Sequence, residues 1–183
     1  ALISSNHRDL ARRCPEFRFA GLPKALQRAS HYGKPGPYGA RFPWEALEDG
    51  AEGTPPGFWM DHVFHISNIA LSAWQQYLYT CDAGYLERTG YPVIRESARF
   101  FAANMVYETG DGGMFLGKCT DLERLGPARI RPFMTTCGAI YTLEAAAQAA
   151  ARLGQDAPEA AAWRRIAAKL RESLPHDGTK YVP

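Results

Sequence analysis

Three stretches of this chain gather aromatic, polar and acidic side chains in patterns suited to binding or catalysis. The first is Gly39-Ala40-Arg41-Phe42-Pro43-Trp44-Glu45. An indole stacks on the apolar face of a pyranose, and an adjacent carboxylate accepts hydroxyl hydrogen bonds, so Trp44 and Glu45, with Arg41 beside them, are candidates for sugar binding. The competing reading is a loop tryptophan folded back on the core beside an exposed Glu45. The second stretch, Asp61-His62-Val63-Phe64-His65-Ile66-Ser67-Asn68-Ile69, puts His65 and Asn68 three residues apart at the start of an apolar helix, a polar side that calls for water or a ligand. Asp61 and His65 stand four apart, but two ligands fall short of the three or four that a zinc site requires, so no metal is expected. The third stretch is Gly117-Lys118-Cys119-Thr120-Asp121-Leu122-Glu123-Arg124. Glycosidic cleavage needs a carboxylic acid to protonate the departing oxygen, and Asp121 and Glu123 both qualify. They can equally be a solvated acidic pair bridged to Arg124, Arg129 or Arg131. Cys119 is a weaker candidate as a nucleophile, with no histidine near it in sequence.

The elements that position these stretches are read from periodicity. Residues 2–13 carry apolar positions at helical spacing, with Pro15 as the stop, and a second helix is predicted over 16–31, ended by Gly33. Residues 33–59 are rich in Gly, Pro and aromatics, and too long for an ordinary connection. Val63, Ile66, Ile69, Ala70, Ala73, Trp74, Tyr77 and Leu78 predict a helix over 61–79. Asp82 suits the cap of a short turn that Gly90 punctuates, and Pro92 the first turn of a helix with Ile94, Ala98, Phe101 and Met105 inward. A second Gly-rich loop covers 108–133, with Met114-Phe115-Leu116 as an extended piece able to pair. Thr135 or Thr136 can cap a helix to Leu153, with Gly154 as its C-terminal signal, and the last helix covers 157–174. Helices joined alternately by short turns and long loops make an all-α chain of helical hairpins whose long loops gather at one end. A tetratricopeptide solenoid also strings helix pairs together, but its repeat of about 34 residues does not fit these unequal segments.

With 21 basic and 19 acidic residues interspersed, the net charge of +2 offers no stripe for nucleic acid or an anionic membrane. No apolar run is long enough for a membrane span. The expected partner is a small molecule, an oligosaccharide or glucoside, and a homodimer stays open. Cys14, Cys81, Cys119 and Cys137 lie far apart with no C-x-x-C pair, which favours a reduced, cytoplasmic setting. The opening Ala1-Leu2-Ile3-Ser4 reads like the middle of a helix, so residues 1–183 are expected to be part of one domain of a longer protein.

Taken in order, these segments resemble the catalytic domain of glycoside hydrolase family 65, which comprises maltose, trehalose and kojibiose phosphorylases and related glucosidases. Phe17-Arg18-Phe19 through Leu22-Pro23 and Ala25 resembles the run ahead of the family's G-A-x-[FY]-P-W-E loop, matched by Gly39 to Glu45. His65-Ile66-Ser67-Asn68-Ile69-Ala70 with Trp74 and Gln75 is similar to its H-I-x-x-D-I-A helix, Glu96-Ser97-Ala98-Arg99-Phe100 to its E-T-A-R-F helix, and Trp163 to Leu174 to its W-x-x-I-A-x-K-L segment. The resemblance implies an (α/α)6 toroid, inversion at the anomeric carbon, no cofactor, phosphate or water as nucleophile, and a general-acid Glu in a G-P-D-E-Y-H loop. Cys119-Thr120-Asp121-Leu122-Glu123 stands at that place, so the implied acid is Glu123, with Asp121 second. Asn68 replaces the family's Asp, and no Tyr-His follows Glu123. The resemblance also implies that a W-D-T-E segment precedes Ala1, and that the phosphate site or hydrolytic base follows Pro183.

Trp44 is then expected to stack on the sugar, Glu45, His65, Asn68 and Arg41 to hold it, and Glu123 to protonate the leaving oxygen. That reading requires the Trp44 loop and the acidic loop to open onto the same end of the helices. The rival readings are a non-catalytic scaffold or sugar-binding relative that has lost the acid, and another enzyme, such as a sugar epimerase, on the same toroid.

Overall fold

The computed structural model describes residues 2–32, 38–121 and 128–182. Its helices are α1 (Arg8–Ala20), α2 (Leu22–Ala29), α3 (Phe64–Thr80), the single turn α4 (Ala83–Tyr85), α5 (Tyr91–Phe100), α6 (Phe133–Leu153) and α7 (Ala157–Glu172). A π-helical turn at Leu86–Gly90 joins α4 to α5, and another at Phe101–Met105 extends α5. Strands β1 (Val106–Glu108) and β2 (Met114–Leu116) form an antiparallel hairpin in the register Val106 to Leu116.

Short turns force antiparallel neighbours, and they make two hairpins, α3 with α5 and α6 with α7. Helix α6 also packs on α3 and α5, and α1 lies against α3. The shared core is built from Ile66, Ala73 and Trp74 of α3, Ile94, Ala98 and Phe100 of α5, Leu143, Ala146, Ala147 and Ala150 of α6, and Trp163, Ala167 and Leu170 of α7. The alanines of α6 bring its neighbours close on several sides, as befits a helix apolar nearly all round. Where α6 crosses α3, Gly138 faces Ser67, and a methyl on Gly138 would lie 2.7 Å from the Ser67 Cβ. Between the outer helices, Arg99 of α5 bridges Glu96 and Glu159 of α7, and the Tyr91 hydroxyl donates to Asp156. The chain is all-α, a set of helical hairpins forming part of an (α/α)6 toroid. No helix among the described residues is long and apolar enough to cross a membrane.

Four punctuation marks read from sequence act differently in the fold. Pro15 lies inside α1; its ring is buried, which offsets the helical hydrogen bond it cannot make. The break comes at Gly21, whose Cα meets the incoming backbone of Gly50: a methyl on Gly50 would lie 2.8 Å from it. Gly90 does not stop a helix, because the Tyr85 ring lies over it and a methyl there would sit 3.0 Å from that ring. Neither Thr135 nor Thr136 caps α6; the helix starts at Phe133, and its free amides meet a carboxylate from elsewhere in the chain. Asp82 does cap its turn, accepting from the Tyr85 N–H at 2.9 Å, and Gly154 ends α6 with φ +66°. The predicted stop at Gly33 lies outside the described residues.

Candidate active site

Two loops build the end of the bundle where α3 and α6 begin. The first enters along α5. Gly39 has φ +69°, and a methyl on it would overlap the α5 backbone, with the Arg99 carbonyl carbon 2.7 Å away, so only glycine passes here. The Ala40 N–H then donates to Glu96 O at 2.8 Å and the Arg41 N–H to Ala25 O at 2.9 Å. The Arg41 side chain is fully buried, its guanidinium donating to Phe42 O and, at 2.9 Å, to Met60 O. His65, in the first turn of α3, is buried too, with Nε2 2.9 Å from the same Phe42 O. Burial first, and the Arg41 charge second, push its pKa down to about 3. The ring is therefore neutral at physiological pH, and Nε2–H is the donor to Phe42 O. Arg41 and His65 are candidates for sugar hydroxyls in sequence; in the fold both lie beneath the loop and hold its carbonyls.

Above them Trp44 is half-buried. Its ring lies 5.5 Å from that of Trp59 with an interplanar angle of 2°, and 4.9 Å from that of His62 at 23°. Phe58 packs on Trp59 at 4.2 Å, and Phe64 meets His62 edge-on at 5.4 Å. The backbone of Glu45 is fixed, its N–H donating to Thr54 Oγ1 at 3.1 Å and its carbonyl accepting from Gly53 N at 2.8 Å, while its side chain is exposed. Asn68 does not share the setting of His65. It is exposed and lines a groove of about 370 Å³ along α1, with Leu10, Cys14, Leu71 and Gln75. Phe58 and Trp59 belong to the aromatic-rich segment 33–59 and His62 to the polar start of the α3 stretch, but no spacing rule says that such rings will stack.

The second loop is anchored at its stem. Cys119 and Arg129 exchange backbone hydrogen bonds of 3.1 and 2.9 Å. Buried Thr120 donates its N–H to Asp61 O at 3.2 Å and its hydroxyl to Phe58 O at 3.1 Å. Asp121, 5% exposed, accepts from the Thr135 N–H at 2.8 Å, the Thr135 hydroxyl at 2.7 Å and the Met134 N–H at 3.1 Å. A carboxylate on the free amides of a helix start is a cap, and it also meets the positive end of the helix dipole. Burial pushes the Cys119 thiol up to about 12, so it stays protonated and is a poor nucleophile. Glu123 and Arg124 lie outside the described residues. Among the described residues no three His, Cys, Asp or Glu side chains converge as a metal site would require. The stacked rings of the first loop and the stem of the second thus meet at one end of the bundle, joined through Thr120.

Residues 2–176 match the glycosyl hydrolase family 65 central catalytic domain. The kojibiose hydrolase of Flavobacterium johnsoniae is 33% identical over 177 residues, covering 94% of this chain and 25% of the relative. The kojibiose phosphorylase of Halothermothrix orenii is 29% identical over 116 residues, 56% of this chain and 14% of the relative. The cell wall acid trehalase of Candida albicans is 29% identical over 125 residues, 66% of this chain and 11% of the relative. The chain therefore spans about a quarter or less of the length of these curated relatives. The match runs through both loops and every helix described above, and the chain belongs to glycoside hydrolase family 65.

Proposed function

We propose that this chain carries the sugar-stacking and proton-donating part of an enzyme that cleaves an α-glucosidic bond with inversion. The observation that carries this reading is the meeting of the Trp44 ring stack with the stem of the acidic loop at one end of α3 and α6. Trp44 stacks on the glucose ring beside the scissile bond and the Glu45 carboxylate accepts from its hydroxyls, while Asn68, which lines the groove along α1, is set apart from this site. Arg41 and His65 act from beneath by fixing the loop that presents Trp44. Glu123 is the acid: it gives its proton to the departing glycosidic oxygen while water or inorganic phosphate attacks the anomeric carbon from the opposite side. Asp121 is second choice, because its carboxylate already serves three donors at the start of α6. A proton donor of this kind must keep its proton near neutral pH. The names of the relatives support a disaccharide of the kojibiose or trehalose kind as substrate; the reaction as proposed uses no cofactor, with inorganic phosphate as a co-substrate if it is phosphorolysis. A cytoplasmic setting goes with this reading, on the four free thiols.

The test is to incubate the complete protein with glucose disaccharides, with and without phosphate. Glucose 1-phosphate identifies phosphorolysis and free glucose in both tubes hydrolysis; no product in either leaves the non-catalytic relative. Glu123→Gln should lower kcat by roughly a thousandfold while disaccharide binding, followed by tryptophan fluorescence, changes little. Normal turnover by that variant overturns the assignment.

A further inference from the structure

Resting on that functional reading, we infer that Thr120 is a positioning residue that sets the Trp44 platform in register with the loop carrying the acid. Thr120 belongs to the second loop, yet both of its donors go to the first. Its N–H reaches Asp61 O at 3.2 Å and its hydroxyl reaches Phe58 O at 3.1 Å, and the residue is fully buried. The turn between those two carbonyls carries Trp59, and the next residue is His62; these are the rings against which Trp44 lies.

The ring geometry shows what the turn does. The centroids of Trp44, Trp59 and His62 form a triangle with sides of 4.9, 5.5 and 5.8 Å. A three-layer sandwich would separate its outer rings by about 7 Å, two stacking distances of ~3.5 Å, so none of the three is enclosed between the other two. Trp44 therefore keeps a face that neither of these neighbours covers, while Trp59 has Phe58 against it at 4.2 Å and Trp44 at 5.5 Å. Trp59 and His62 back the platform, and Thr120 holds their turn.

On its other side Thr120 is continuous with the acidic loop. Cys119 before it is bridged to Arg129, and Asp121 after it caps α6. Glu123 follows three residues after Thr120 in the sequence. One side chain thus ties the group that binds sugar to the segment that donates the proton. Binding needs the platform alone, whereas bond cleavage needs platform and acid in register, and a misplacement of about 1 Å can lower a rate by about a hundredfold.

The experiment is Thr120→Val in the complete protein, which keeps the side-chain bulk and the N–H bond but removes the hydroxyl. Kinetics are compared on a glucose disaccharide and on α-glucosyl fluoride, whose leaving group needs little protonation. The expected result is a kcat on the disaccharide lower by roughly 10- to 100-fold with KM within about threefold, a much smaller loss on the fluoride, and recovery in Thr120→Ser. Equal losses on both substrates, or none, would overturn the inference, the first because it marks a purely structural role. If Thr120→Val does not fold, Thr120→Ala against Thr120→Ser gives the same comparison. A wild-type protein inert toward every α-glucoside sinks the functional reading itself; an active wild type with an indifferent Thr120→Val sinks only this inference.

Discussion

The two loops at the working end are held by different kinds of contact. The first is fastened through its backbone to helices that precede and follow it: Ala40 to Glu96 O, Arg41 to Ala25 O, and Tyr38 O to the Asn104 side chain at 2.7 Å. Beneath it lies a fully buried guanidinium braced by a neutral imidazole. The second loop is tied at its stem chiefly by side chains, the Thr120 hydroxyl and the Asp121 carboxylate, with one backbone bond from the Thr120 N–H to Asp61 O. The difference teaches that the Trp44 loop is part of the folding core, whereas the acidic loop is a local attachment. Damage to the first should register as loss of the fold, and damage to the second as loss of activity with a smaller stability change.

Gly39→Ala should break that contrast most severely. The methyl would collide with the α5 backbone at a positive φ, and neither partner can move without dislodging α5. A destabilisation of at least about 4 kcal/mol is expected, seen as loss of cooperative unfolding or of soluble protein. An unaffected melting transition would mean that the first loop is not part of the core.

Asp121→Ala should be milder and local. Removing a buried cap leaves the amides of Met134 and Thr135 without their acceptor, for an expected loss of about 2–3 kcal/mol in denaturant titration. The unfolding transition should stay cooperative.

Acid pH should probe the first loop through His65. The His65 pKa is depressed in the folded protein to about 3 from 6.5, so the unfolded chain binds a proton that the folded one refuses. Stability is therefore full above pH 6.5 and falls as pH drops from there toward 3, by about 1.4 kcal/mol per pH unit. By pH 5 about 2 kcal/mol of this stability has been lost, and His65→Gln should flatten that part of the pH profile. An unchanged slope in the variant would show that some other group controls acid sensitivity.

Much of the helical framework is legible from spacing. Ile66, Ile69, Ala70 and Ala73, or Leu143 and Ala147, mark buried faces because a helix has a fixed period, and Met114-Phe115-Leu116 pairs as its composition suggests. Punctuation is less legible. Pro15 and Gly90 are helix breakers by propensity, but a buried ring and an overlying tyrosine override them, and no local rule sees either partner. The candidate site divides the same way. Trp44 and Glu45 can be picked out by residue type, while Trp59, His62 and Thr120 gain their importance only from what lies across the turn.

By itself the sequence determined the all-α hairpin character, the two long loops and the ordered segments of the family, since periodicity, turn residues and motif order are properties of neighbouring positions. Tertiary structure alone decided which polar residues brace and which reach outward: Arg41 and His65 beneath the loop, Asp121 on the amides of α6, Thr120 on a carbonyl 62 positions away. The reason is physical. A buried polar group must find a partner, and only the folded chain brings that partner within 3 Å or so.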